Sequence, residues 1–277
     1  MNTIALFGAA GAMGTRLSNA LRDDSGFEVL FVEAGEAGRA RLRERGDEPA
    51  DAEAAASSAD VVVLAVPDAV LLGVARDVVP RMKSGAMVMC LDPAAPYSGG
   101  LPAREDLSYF VTHPAHPPIF GDESDPEARR DYFGSGKARQ SIVSALMQGP
   151  EEHFALGESI ARKVFSPILR SHRVTVEQMA MLEPALSETV TATCLTVIRE
   201  AMDEAIRRGV PAAAARDFLL GHLNVELAIL FDQLGWEFSA GCKKAIEEAK
   251  RDIFQPDWKK VFDEANLKAS VAKITGS

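Results

Sequence analysis

Thr3-Ile-Ala-Leu-Phe-Gly-Ala-Ala-Gly-Ala-Met-Gly14 reads as a short apolar strand running straight into a glycine-rich turn. An amphipathic run with Leu17, Ala20 and Leu21 follows, then a second apolar run, Phe27-Glu-Val-Leu-Phe-Val32, which stops at Glu33. Strand, glycine turn, helix, strand and terminal acid, in that order, form the βαβ unit that a dinucleotide needs. Gly8, Gly11 and Gly14 allow the tight turn and let the backbone of Ala10, Ala12 and Met13 approach a pyrophosphate on the helix N-terminus. Glu33 is placed to accept hydrogen bonds from the ribose hydroxyls. Its charge would repel a 2′-phosphate, which favours NAD, while Arg39 and Arg41 further on leave NADP open. A flavodoxin-like or regulatory turn without a dinucleotide is the plainer alternative for the glycines, which are spaced GxxGxxG rather than GxGxxG.

The chain has 277 residues, enough for one core and a second module. Its formal charge of −10 repels phosphates and anionic lipid headgroups, so neither nucleic acid nor membrane is expected as a partner. No apolar run is long enough to span a bilayer, and strand-forming residues already at Thr3 leave no room for a signal peptide. Cys90, Cys194 and Cys242 are too scattered for a disulfide framework or a thiolate metal site. These features predict a cytoplasmic protein.

Beyond Glu33 the alternation of helix and strand continues. Asp60-Val-Val-Val-Leu-Ala-Val66 is nearly all apolar, as a parallel strand covered on both faces must be. Ala86 to Leu91 and Leu107 to Thr112 are further strands, and Ser141 to Met147 and Arg173 to Val176 extend the sheet, with a helix over Glu151 to Val164 between them. From about Val176 helical patterns take over, over Glu177 to Arg208, Pro211 to Leu234 and Ala240 to Ile253. The reading is α/β: a doubly wound Rossmann domain over residues 1–175, then an all-helical domain over residues 176–277 for substrate and dimerisation. Apolar stretches such as Leu219-Leu220 and Leu227 to Phe231 exceed what one Rossmann face covers, which predicts a homodimer. Residues 122–136, charged and carrying Pro126, are either a solvated insertion or a flap.

Ligands of such a sheet bind beyond the carboxyl ends of its strands. There the chain offers Val66-Pro67-Asp68, whose backbone would line the nicotinamide ribose, then Asp92-Pro93, then His113-Pro-Ala-His-Pro-Pro118. His113 and His116, in a proline-stiffened loop, suit a metal ligand or a general acid/base. On the long helix Met179, Glu183, Ser187 and Thr191 recur every four residues, and Pro184 would kink the helix beside Glu183. Glu188 falls off that stripe. His222 and Glu226, one turn apart, could bind metal or hydrogen-bond across a subunit interface.

The glycine motif, the two-histidine segment, Ala145-Leu-Met-Gln-Gly-Pro150, Glu177-Gln-Met-Ala-Met-Leu-Glu-Pro-Ala-Leu-Ser-Glu188 and Leu220-Gly-His-Leu-Asn-Val-Glu226 carry a resemblance. The chain resembles the 6-phosphogluconate dehydrogenase-like superfamily and, more closely, the D-apionate oxidoisomerases. The lysine and asparagine that hydroxyacid dehydrogenases carry on the long helix are not evident here, where Glu183 and Ser187 stand. The resemblance implies NAD-dependent oxidation of a branched sugar acid beside its carboxylate, then an α-ketol shift giving 3-oxo-isoapionate. It further implies a divalent cation, Zn²⁺ or Mn²⁺ by ligand type, held by His113 and Glu183 from the two domains, with His116 as acid/base or further ligand. Two other readings stay open: a metal-independent dehydrogenase of a small hydroxy acid, and a non-catalytic NAD(H)-binding regulator.

Overall fold

The computed structural model of the chain describes residues 1–275. Seven strands, β1 (Asn2–Phe7), β2 (Phe27–Val32), β3 (Val61–Leu64), β4 (Met87–Cys90), β5 (Ser108–Pro114), β6 (Gln140–Gln148) and β7 (Ile168–Arg173), form one sheet in the order β2-β1-β3-β4-β5-β6-β7. The first five are parallel, β6 runs antiparallel to β5, and β7 returns parallel to β6. Helices α1 (Ala12–Leu21), α2 (Glu36–Glu44), α3 (Ala52–Ser58), α4 (Asp68–Val78), α5 (Ala94–Tyr97) and α6 (Glu151–Val164) connect them. Then come α7 (Val176–Ala180), a π-helical stretch over Met181–Ala192, α8 (Thr193–Arg207), α9 (Ala212–Leu230), α10 (Ala240–Ile253) and α11 (Glu264–Thr275).

The alternation along the strands explains the double winding. Ile4, Leu6, Val61, Val63, Met87 and Met89 face one core together with Leu17 of α1 and Ile160 of α6. The residues between them, Ala5, Phe7, Val62, Leu64, Val88 and Cys90, face a second core with Leu71 and Ala75 of α4. Every residue of β3 and β4 is buried, so these strands read as unbroken apolar runs. Each large side chain buried this way contributes roughly 1.5–3 kcal/mol. The strand order reverses at β1, with β2 added on one side and β3 on the other, and that switch point opens a crevice at the carboxyl ends of β1 and β3.

Two expected elements differ. The last strand lies at Ile168–Arg173, ahead of the Arg173 to Val176 segment that reads as strand. It is a sheet edge, and Arg170, His172 and Arg173, which stand exposed on it, hide the apolar pattern. The helix expected over Glu177 to Arg208, with a kink at Pro184, contains a π-helical stretch over Met181–Ala192 instead. A proline lacks the N–H that an α-helix requires, and a wider turn accommodates it. Accordingly Thr189 and Thr191 donate their hydroxyls to the carbonyls of Pro184 and Leu186, five residues back, at 2.6 and 2.8 Å.

The chain forms two compact units, one of Met1–Glu183 with the chain from Lys268 on, the other of Pro184–Leu267. The first holds both cores. In the second, Pro184, Ala185 and Leu267 are the buried residues, and α8, α9 and α10 contain none. Among the described residues no helix is long and apolar enough to cross a membrane.

Candidate active site

The dinucleotide motif folds as its sequence requires. Gly8 has φ +80°, and a Cβ there would lie 2.4 Å from the Ala65 carbonyl oxygen at the end of β3, so only glycine closes the β1–β3 crevice. Gly11 caps α1, and the amides of Ala12, Met13 and Gly14 in its first turn have no carbonyl one turn earlier to bond. Glu33, just past β2, accepts the Ala10 N–H at 2.6 Å, and Arg39 donates to the Glu33 backbone carbonyl at 3.0 Å. A cleft of 580 Å³ opens beside Gly8, Glu33 and Val66, with Arg39 and Arg81 on its wall. Pro67 caps the start of α4 directly after the β3 turn.

His113, near the end of β5, has Nδ1 2.9 Å from the Leu91 carbonyl oxygen. A carbonyl only accepts, so Nδ1 carries the proton and Nε2 of the neutral ring offers a lone pair. That Nε2 faces Glu183 Oε2 at 3.6 Å. Two acceptors at this separation call for a proton or a cation between them. His116 is tied the same way, its Nδ1 3.2 Å from the Phe133 carbonyl oxygen, and its ring stands at 90° to that of His113 with centroids 6.4 Å apart. Its φ of 59° is rare for a residue with a side chain and marks backbone strain of the kind held at functional sites.

Two carboxylates complete the surroundings: Asp92, expected at a strand end with no assigned role, and Asp68, expected to contribute backbone alone. Asp92 Oδ2 lies 3.8 Å from His113 Nδ1, and Asp92 Oδ1 accepts the Ala94 N–H at 2.7 Å. Burial and then the charge of Asp92 push the Asp68 carboxyl above its usual range, against the opposing pull of His113. Both residues follow the carboxyl ends of their strands, which is the signal that could have found them. Among the described residues no three His, Cys, Asp or Glu side chains converge as a metal cage. An imidazole Nε2 and a carboxylate oxygen are donors of the kind that a divalent cation takes.

His222 and Glu226 belong to the second unit. His222 donates to the Phe218 carbonyl at 2.9 Å and stacks on the Phe218 ring at 3.9 Å; with Glu226 it lines an apolar 580 Å³ cleft between α8 and α9. The 122–136 segment is tied down by Asp131, Glu123 and Arg139 and reaches His116 through Phe133.

Comparison with known proteins gives this geometry a lineage. The family described as "Phosphogluconate dehydrogenase (decarboxylating) C-term" matches residues 121–275, and the "Acetohydroxy acid isomeroreductase, NADPH-binding domain" matches residues 1–111. The chain is similar to the D-apionate oxidoisomerase of Cupriavidus necator, at 56% identity over 98% of this chain and 99% of the other. It is similar to that of Rhizobium rhizogenes at 54% identity over 99% of this chain and 100% of the other. Among solved structures it superimposes, with a TM-score of 0.95 and 55% identity over 99% of this chain and 100% of the other, on a semialdehyde dehydrogenase NAD-binding protein from Cupriavidus necator in complex with calcium and NAD. A Rossmann crevice, a Glu-Pro helix and full-length identity above one half lead to one conclusion: the chain belongs to the D-apionate oxidoisomerase family, within the 6-phosphogluconate dehydrogenase-like superfamily.

Proposed function

We propose that this chain oxidises D-apionate with NAD and rearranges the product to 3-oxo-isoapionate, using a divalent cation held by His113 and Glu183. The observation that carries the reading is the pair of unshielded acceptors, His113 Nε2 and Glu183 Oε2, facing one another at 3.6 Å where the sheet's strands end. The related Cupriavidus necator protein crystallised with both calcium and NAD supports it. The mixed donors suit Zn²⁺ or Mn²⁺ better than an ion that prefers oxygen alone.

When bound, NAD supplies the hydride acceptor and the cation supplies Lewis-acid polarisation of neighbouring substrate oxygens. Ala12, Met13 and Gly14 bind the pyrophosphate through their amides, Glu33 takes the ribose hydroxyls, and Val66 and Pro67 bound the nicotinamide end. His116 Nε2 takes the proton of the hydroxyl beside the substrate carboxylate as that carbon gives up hydride and becomes a ketone. Its exposed ring passes the proton to solvent. His116 then accepts the proton of the adjacent tertiary hydroxyl. One hydroxymethyl group migrates with its bonding electrons to the new carbonyl carbon, and the carbon it leaves becomes a ketone. The resulting alkoxide takes the proton back, so the second step is a net isomerisation.

In this reading residues 1–175 serve as the dinucleotide domain and residues 176–277 as the substrate and dimerisation domain. Leu195, Phe218, Leu220, Leu230 and Trp236 all stand exposed on helices or turns of the second unit, the surface that a second copy would cover in a homodimer. Unpaired Cys90, Cys194 and Cys242 suit a reducing compartment such as the cytoplasm.

The test is NADH formation from D-apionate with and without EDTA, with carbon NMR of the product. Chelator-sensitive turnover to the rearranged 3-oxo acid is expected. Chelator-resistant turnover to an unrearranged 2-oxo acid would leave a plain dehydrogenase, and tight NADH binding with no turnover would favour a regulator.

A further inference from the structure

We propose that Arg16 and Gln140 are positioning residues for His116, acting through the backbone of Phe133-Gly134; the proposal rests on the acid/base reading of His116. His116 presents Nε2 because its Nδ1–H is held by the Phe133 carbonyl. That carbonyl sits in an exposed segment: Tyr132 and Phe133 keep 75% and 73% of their surface in solvent, so apolar packing of these side chains does not anchor it. Polar ties at the next residue do. The Gly134 carbonyl accepts from Arg16 Nη2, and also from Gln140 Nε2 at 2.9 Å.

Both donors are themselves fixed. Gln140 is fully buried at the start of β6 and donates its second amide hydrogen to the Phe165 carbonyl at 2.8 Å. Arg16 donates Nε to the Val164 carbonyl at 3.1 Å and lies over the Phe165 ring, 5.0 Å from its centroid. Gly134 has φ +68°, and a Cβ there would lie 2.5 Å from the Gln140 carboxamide, so the contact tolerates no side chain. The turn around it is held by Asp131, whose carboxylate accepts the N–H groups of Ser135, Lys137 and Ala138 at 2.7, 3.0 and 3.1 Å.

Arg16 belongs to α1, one turn beyond Ala12, so the helix whose first turn receives the pyrophosphate also braces the loop that aims the acid/base histidine. A displacement of about 1 Å at a reacting group can cost roughly 10²-fold in rate, and this brace sets a position on that scale.

The test is a double-mutant cycle on Arg16→Ala and His116→Asn, reading kcat, the KM for both substrates, and NAD affinity by calorimetry. Arg16→Ala is expected to lower kcat by roughly 10–100-fold while NAD affinity stays within about twofold. Arg16→Lys, which can restore one of the two carbonyl contacts, should recover part of the loss. On the His116→Asn background Arg16→Ala should cost less than about twofold more, because partners in one network are not additive. Gln140→Met, which removes the second donor to Gly134, should follow the same pattern more weakly and stands in if Arg16→Ala does not fold. Additive losses in the cycle, or weakened NAD binding that accounts for the whole effect, would overturn the positioning role. An unchanged kcat in His116→Asn alone would instead overturn the acid/base reading beneath it.

Discussion

β3 and α9 are both rich in apolar residues, yet they have opposite fates. In Val61–Leu64 all four side chains are buried, two on each face of the sheet, under helices from the same compact unit. In Ala212–Leu230 no residue is buried, although Phe218, Leu219, Leu220, Leu227, Ile229 and Leu230 lie along it. The sheet of the first unit buries its apolar strand residues under that unit's own helices, while the helices of the second unit carry apolar surface that nothing within it covers. Secondary structure alone does not separate the two cases; what separates them is whether each apolar residue finds a partner in its own unit. Chemistry divides the same way, because the dinucleotide crevice, both loop histidines and Glu183 all belong to the first unit.

The largest effects should come from breaking the self-sufficient side. His113→Ala and Glu183→Gln are each expected to lower kcat by roughly 10²–10⁴-fold, the range for a lost acid/base or charge-stabilising group. Their association state and NAD affinity should not change. A changed association state in either variant, seen by analytical ultracentrifugation, would mean that the site and the proposed interface are not separable. The next effect tests the dependent side. Phe218→Asp places a charge on an exposed apolar face and should weaken self-association by roughly 10²-fold or more, the cost of losing a well-buried aromatic anchor. NAD affinity should hold within about twofold, since the crevice is built inside Met1–Glu183. A wild-type protein that sediments as a monomer would break the comparison outright.

How far the sequence carries is itself different in the two units. The βαβ start, the buried parallel strands and the helix over Glu151–Val164 were legible because glycine turns, unbroken apolar runs and helical spacing of apolar residues leave direct marks in the residue order. His113 and Glu183 were legible as candidates because each sits beside a structural punctuation, a strand end or a proline. Their meeting was expected from the family resemblance alone, and the π-helical stretch in which Glu183 stands left no periodic mark in the sequence. Arg16 and Gln140 were passed over for a similar reason. Their roles arise from contacts to backbone carbonyls elsewhere in the chain, and a backbone group carries no sequence signature.

The smallest effect concerns Asp131, and it sharpens the contrast between a held segment and a free one. Burial pushes this carboxyl up, but hydrogen bonds from the amides of Ser135, Ala138 and Lys137 outweigh it and hold it at about 2, below the usual 3.8. A carboxyl depressed in the folded state adds stability that is complete above its unfolded value and is lost as the pH falls through the folded one. The contribution therefore disappears between about pH 4 and pH 2. Because the group is largely open to solvent, screening reduces it to less than ~1 kcal/mol. Asp131→Asn should lower Tm by ~1–3 °C at neutral pH, with the gap to wild type closing as the pH falls toward 2. A gap that persists undiminished at pH 2 would show that the carboxylate's charge does not hold the turn. In that case the brace on Phe133 would rest on Arg16 and Gln140 alone.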